Sequence, residues 1–317
     1  MEKQKEYPET YYTQNGRQYE YTSAANPQVP QIPYIAFGSE LYNKPEIETS
    51  IIPLDISHKI GTSYPASSPN LLANFIKIKK DEELSTPMGN ATSQMFYVIK
   101  GRGYSIIKNG MINWRTGDVF VVPYIADCFN IYHCVEGESD CVLYWVNDSP
   151  LLKYLGVTPY VQKFQTTHFF NSKLKAHVEE LRHDPETKHR NRCGVLLGIA
   201  ETENTTKTLT HTMWSLLNLL PANTSQPPHR HNSVALDLCT YAKGKTGVYT
   251  LMGPDLEEDG KTIKNPVRVD WGSGCAFITP PGWWHSHHNE TDEDAWVLPV
   301  QDAGLHTYMR TLDIKFT

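Results

Sequence analysis

No run in this 317-residue chain approaches the ~20 consecutive apolar residues that a membrane-spanning helix needs, so no span is expected. The opening, MEKQKEYPETYYTQNGRQYEY, has no apolar core and no small-residue cleavage site. It does not read as a secretion signal, and a cytoplasmic protein is expected. Paired cysteine spacings are also missing: Cys128, Cys134, Cys141, Cys193, Cys239 and Cys275 are scattered singly. That argues against a disulfide framework and a cysteine zinc site, leaving buried thiols. Nor is there a basic run, and the formal charge is −6. The chain therefore has no electrostatic footprint for nucleic acid or an anionic membrane, and a small-molecule partner is expected.

What is present is β pattern, twice. Residues 1–60 are rich in Pro, Tyr and Asn with weak periodicity and read as an N-terminal arm. Residues 61–160 hold short β-rich runs (ANFIKIKK, QMFYVIKGRGYSIIKNGMINW, DVFVVPYI, CVLYWVN) separated by Gly, Asn and Asp turns. Residues 161–190 form a linker in which Leu174, Val178 and Leu181 recur at helical spacing. Residues 191–317 return to β pattern. INWRTGDVFVVPYIADC overlays on VDWGSGCAFITPPGWWH with Trp, Gly and Pro in step. Two copies of one β-barrel motif follow.

The second copy carries the chemistry. In PPHRHNSVALDL, His229 and His231 are two apart, so on a strand both face one side and can offer two nitrogens to one ion. His285 follows a Pro-x-Gly turn, on a strand expected to return beside the first. Three neutral imidazoles would leave a divalent cation its full charge and up to three open positions. Counting by twos, His287 also faces inward, as do Ser233, Ala235 and Asp237, while His288 faces out.

Gly274, Pro280, Gly282, His285 and Asn289 are spaced as in the second motif of the cupin superfamily, and the HRH pair resembles its first. Within the bicupins, PPHRHNSVAL, FITPPGWWHSHHN and DWGSG resemble the gentisate 1,2-dioxygenase group, which includes salicylate and hydroxynaphthoate ring-cleaving enzymes. The resemblance implies an all-β fold of two tandem jelly-roll barrels with a short linking helix. It also implies Fe(II) held by His229, His231 and His285, and O2 as co-substrate. His287 would contact the substrate and move protons, Trp214 would form pocket wall, and Arg192, or Arg190, would bind a substrate carboxylate. A homo-oligomer, dimer or tetramer, is expected. Trp283 and Trp284 are expected at the barrel mouth.

Asp237 departs from the pattern, because the family usually has an arginine there. An acid in that place favours an amine, guanidinium or hydroxyl over a carboxylate, or else orients a ligand histidine. In the first copy the overlay puts Met88, Asn90 and Cys128 in the ligand places, so no metal site is expected there. The leading expectation is a mononuclear non-haem Fe(II) dioxygenase cleaving a hydroxylated or amino-substituted aromatic ring, with His287 and Asp237 in catalytic roles and Asp237, Arg192, Trp214 and His287 binding substrate. The alternatives are a three-histidine Fe(II) oxygenase for a non-aromatic or cationic substrate, and a non-catalytic metal- or ligand-binding cupin.

Overall fold

The computed structural model describes residues 9–108, 110–185 and 192–317. Residues 9–31 form a small unit of two one-turn helices. Tyr11–Gln14 is closed by a reciprocal capping box between Thr10 and Thr13, and the Glu20 carboxylate caps Tyr21–Ala24. Residues 32–317 form a second unit of two β-barrels, antiparallel in every strand pair described.

Each barrel joins a six-stranded sheet to a smaller one. In the first, the large sheet runs in the order Thr167–Phe169, Val119–Pro123, Ser93–Lys100, Cys141–Asn147, Leu72–Ile78, Ser50–Pro53. Its four-stranded partner runs Glu83–Pro87, Asn130–Val135, Arg102–Ile107, Gly110–Arg115. In the second barrel the large sheet runs Ile35–Phe37, Ala276–Thr279, Ala235–Tyr241, Ala295–Gln301, Trp214–Leu220, Cys193–Leu197. Its five-stranded partner runs Val267–Asp270, Val248–Gly253, Trp284–Asn289, Thr224–His231, Ile314–Phe316.

Burial explains why the strands read differently in sequence. The two six-stranded sheets share one apolar core, with Phe75, Tyr144 and Val146 from one meeting Leu236, Leu238 and Ile278 from the other. Cys141–Asn147 (CVLYWVN) is therefore buried on both faces and apolar almost throughout, whereas Gly110–Arg115 (GMINWR) buries only Ile112 and Trp114. The inner face of the first barrel is packed solid, with Phe96 stacked between Phe120 and Trp145. That of the second is apolar only in part, around Trp271, Phe277 and Met252.

The linking helix spans Asn171–His183 and buries Leu174 and Val178, the latter against Val195 and Leu219 of the second barrel. Residues 32–60, read as arm from their composition, carry two short edge strands: Ile35–Phe37 pairs with Ala276–Thr279, and Ser50–Pro53 with Leu72–Ile78. Between them the Tyr42 hydroxyl donates to the Gly274 carbonyl (3.0 Å). Gly274 has φ +79°, and a Cβ there would fall 2.0 Å from the Tyr42 hydroxyl, so no larger residue fits.

Candidate metal centre and cavity

Antiparallel pairing sets His229 opposite His285, and His231 lies two residues further along its strand. One ring nitrogen from each can be chosen so that all three lie within 4.8 Å of one another. Among the described residues this is the only such group of three His, Cys, Asp or Glu side chains. The other nitrogen of each ring meets a main-chain carbonyl: His231 Nδ1 with Ser233 O (2.9 Å), His285 Nδ1 with Trp283 O (3.0 Å) and His229 Nδ1 with His285 O (3.2 Å). A carbonyl only accepts, so Nδ1 of His231 and of His285 carries the proton and their Nε2 keeps its lone pair. Burial first, then the neighbouring imidazoles, hold His229 and His285 well below the usual histidine range, and burial pushes His231 down to about 4. The rings are thus neutral at physiological pH and fit a divalent cation.

These rings line a cavity of about 220 Å³, to which the large sheet contributes Trp214, Asn218, Asp237 and Gln301. Asp237 is 5% exposed, and Thr279 Oγ1 donates to its Oδ2 at 2.6 Å. Burial pushes its carboxyl up to about 7. Arg192, just before the strand Cys193–Leu197, also lines the cavity. Its guanidinium lies 5.0 Å from the centre of the Phe316 ring, donates to Pro227 O at 3.0 Å, and stands 2.5 Å from His229 Nδ1. That nitrogen cannot both receive from Arg192 and give to His285 O. Were His229 to hold a cation through Nε2, Nδ1 would carry the proton and Arg192 would keep only the Pro227 carbonyl. Burial lowers the Arg192 guanidinium to about 10, so it stays charged at neutral pH.

The seven residues singled out in the sequence therefore surround one cavity. Arg190 lies outside the described residues. Trp283 packs against the apolar cluster of the second barrel and Trp284 lies under the Arg230 guanidinium; neither lines the cavity. His288 is on the outer face, stacked on Tyr249.

No known family profile matches the chain. A stretch of 74 residues is 35% identical to 5-aminosalicylate 1,2-dioxygenase of Comamonas sp; it covers 23% of this chain and 19% of that protein's length. Salicylate 1,2-dioxygenase from Pseudaminobacter salicylatoxidans superposes with a TM-score of 0.72 over 94% of this chain and 92% of that one, at 12% identity. The structure of its adducts with gentisate gives 0.70 over 93% and 87%. Vicilin from Corylus avellana gives 0.53 over 89% and 87%, at 12% identity. The fold is that of a bicupin.

The two halves of this bicupin correct the overlay made from sequence. In the second barrel Gln226 pairs with His287 and His229 with His285; in the first, Leu84 pairs with His133 and Thr86 with Ile131. Thr86 thus lies level with His229, Ile131 with His285, and His133 with His287, while Met88, two residues beyond Thr86, comes level with His231. Asn90 is exposed, and Cys128 precedes its strand, its thiol turned to Asn130 O. The cause is loop length: Ile131 is eight residues after Pro123, whereas His285 is five after Pro280. So the first barrel does retain an imidazole, buried His133, but the three level positions hold Thr, Met and Ile.

Sequence reasoning passed over Asn218, Gln226, Thr250 and Phe316. Asn218 Oδ1 is buried with no partner among the described residues, and Gln226 closes the wall beside it through Asn218 Nδ2 (3.4 Å). Asn218 could have been found by parity, since it lies four residues from Trp214 on one face of the strand. Phe316 could not, because its pairing with His229 spans 87 residues of chain.

Proposed function

We propose that this bicupin is a mononuclear non-haem Fe(II) dioxygenase that cleaves the ring of a hydroxylated aromatic acid bearing an amino group. The observation that carries the reading is the joint placement, around one cavity of about 220 Å³, of three neutral imidazoles, a cationic Arg192 and a buried Asp237. That volume exceeds the ~150 Å³ cavity known to accept benzene, so one substituted ring fits.

Iron held by His229, His231 and His285 would supply the one-electron steps by which O2 reacts with an aromatic ring. The chain's own residues do the rest. Arg192 offers a planar fork to a carboxylate and can exchange its Pro227 carbonyl for it. Asp237 accepts from an amino or hydroxyl group, and Asn218 Oδ1 adds a second acceptor. His287 adds a polar contact beside the three ligands. Trp214, Val297, Pro299 and Ile314 keep water from the ring faces. A carboxylate, a hydroxyl and an amine are the substituents that the names of the similar proteins also bring together, in salicylate and 5-aminosalicylate.

Asp237 also favours a second reading, a three-histidine oxygenase acting on a non-aromatic amine or guanidine. Anaerobic loading with Fe(II), followed by O2 uptake and product analysis, separates the two. Uptake with aminohydroxybenzoates and loss of ring absorbance is expected. Uptake restricted to alkyl amines or guanidines would establish the second reading. Ligand-induced thermal stabilisation with no O2 uptake on any substrate would make the chain a binding protein.

A further inference from the structure

Four imidazoles crowd the cavity, yet only three can serve a cation. The ring of His287 lies 5.7 Å from that of His285 and 6.0 Å from that of His229, near enough that sequence spacing alone would not exclude it. What sets it apart is the partner of its Nδ1. His231 and His285 give Nδ1–H to a carbonyl, whereas His287 Nδ1 meets the hydroxyl of Thr250 at 2.8 Å. The same hydroxyl receives the indole Nε1–H of Trp271 at 2.9 Å. An indole nitrogen only donates, and a hydroxyl has a single proton. Buried, with the Trp271 N–H already arriving and no other acceptor found among the described residues, Thr250 satisfies its proton only by donating to His287 Nδ1. A neutral imidazole that accepts at Nδ1 carries its proton on Nε2.

The first barrel repeats this chain with different residues. Trp114 Nε1 donates to Ser105 Oγ (2.8 Å), Ser105 Oγ meets His133 Nδ1 (2.8 Å), and His133 Nε2 meets Thr86 Oγ1 (3.0 Å). Ser105 pairs across the sheet with His133 as Thr250 does with His287, so the arrangement occupies the same register in both halves. There the Nε2–H is taken up by a protein hydroxyl. In the second barrel the level position is His229, and Nε2 of His287 has no protein partner among the described residues.

We propose that Trp271 and Thr250 are positioning residues that lock His287 as a neutral donor, its Nε2–H aimed into the cavity at an oxygen of the substrate. The lock has two effects. It removes the lone pair that would let His287 compete for the cation, sorting four histidines into three ligands and one donor. It also makes His287 a donor to a ring oxygen or carboxylate rather than a base. On the dioxygenase reading, the substrate then presents an anionic or strongly accepting oxygen to His287.

The kinetic part of this assignment rests on the dioxygenase reading; the tautomer part does not. The direct test is a long-range proton–nitrogen correlation spectrum of histidine-labelled, zinc-loaded protein, with the His287 signal identified by its loss in His287→Gln. An Nε2–H pattern is expected in the wild type and in Thr250→Ser. In Thr250→Val, which keeps the shape and removes the hydroxyl, the pattern becomes mixed or turns to Nδ1–H. Trp271→Phe, a second variant that frees the Thr250 hydroxyl to turn, gives a mixed pattern. An Nδ1–H pattern in the wild type, or an unchanged pattern in both Thr250→Val and Trp271→Phe, overturns the proposal. With Fe(II) and an active substrate, Thr250→Val lowers kcat at least tenfold with a smaller change in KM, and Thr250→Ser restores it. Wild-type protein inactive on every substrate would defeat the dioxygenase reading while the spectrum still decides the tautomer.

Discussion

Asp237→Asn is the substitution whose effect the structure fixes most closely, because the side chain is buried, near isosteric with its replacement, and held by the Thr279 hydroxyl. An aspartate in an unfolded chain ionises near pH ~3.9. Burial moves the folded carboxyl up to about 7, with the Thr279 hydroxyl pulling the other way. The other titratable groups lining the cavity are the cationic Arg192 and the neutral histidines, and Tyr144 lies behind the sheet. Between pH ~4 and about 7 the folded state holds a proton that the unfolded state has released, so stability falls as pH rises through that window. Above it the full penalty is present: about three pH units at ~1.4 kcal/mol each, or ~4 kcal/mol at most. Asparagine does not ionise and keeps an acceptor for Thr279. The variant should therefore match the wild type near pH 4 and become progressively more stable than it toward pH 8. Urea unfolding of metal-free protein at pH 5, 6, 7 and 8 measures the gap. A gap that is constant with pH, or that widens toward acid, would refute the reasoning. A divalent cation in the cavity favours the carboxylate, so metal loading should shrink the gap at pH 8.

Elemental analysis after Fe(II) reconstitution should find one ion per chain, and none in His229→Ala or His285→Ala. Thermal melts of those variants should stay close to that of the metal-free wild type, since apolar packing around Trp271 holds the barrel. Arg192→Met should retain iron while weakening carboxylate-bearing ligands at least tenfold, ~1.4 kcal/mol or more, and leave amines without a carboxylate little changed; calorimetric titration compares the two. Asp237→Asn should do the reverse, weakening amino-substituted ligands by a similar factor. Gly274→Ala should lose ~2–4 kcal/mol in denaturant unfolding, because the new Cβ meets the Tyr42 hydroxyl in a left-handed backbone region.

Much of the site was legible because strands impose a period of two. That rule placed His229 with His231, His285 with His287, and Asp237 on the same inner face, and it put His288 outside. It could not say how the two copies align beyond a loop. The three extra residues between Pro123 and Ile131 shifted the register and concealed His133 behind Cys128. It was equally silent on contacts across the sheet. Thr250 is unremarkable in GVYTLMG, and Trp271 in VDWGSG marks the repeat without disclosing a role; both acquire one only where their strands bring them to His287. The strands of residues 32–60 were hidden for another reason: edge strands of three and four residues carry too few alternations to be read.

Those early strands bear on how the chain is made. Ile35–Phe37 completes a sheet edge whose other member, Ala276–Thr279, follows about 240 residues later, which at ~5–20 residues per second is ~12–48 s of synthesis. Until then the segment can use Ser50–Pro53 to dock on the first barrel while its other strand waits without a template. The second barrel, with its cavity, cannot close that edge until the ribosome has delivered most of the chain. A first half released early would thus carry a dangling strand able to pair with another molecule's sheet, so the route to the finished site passes through a stage in which premature termination favours aggregation.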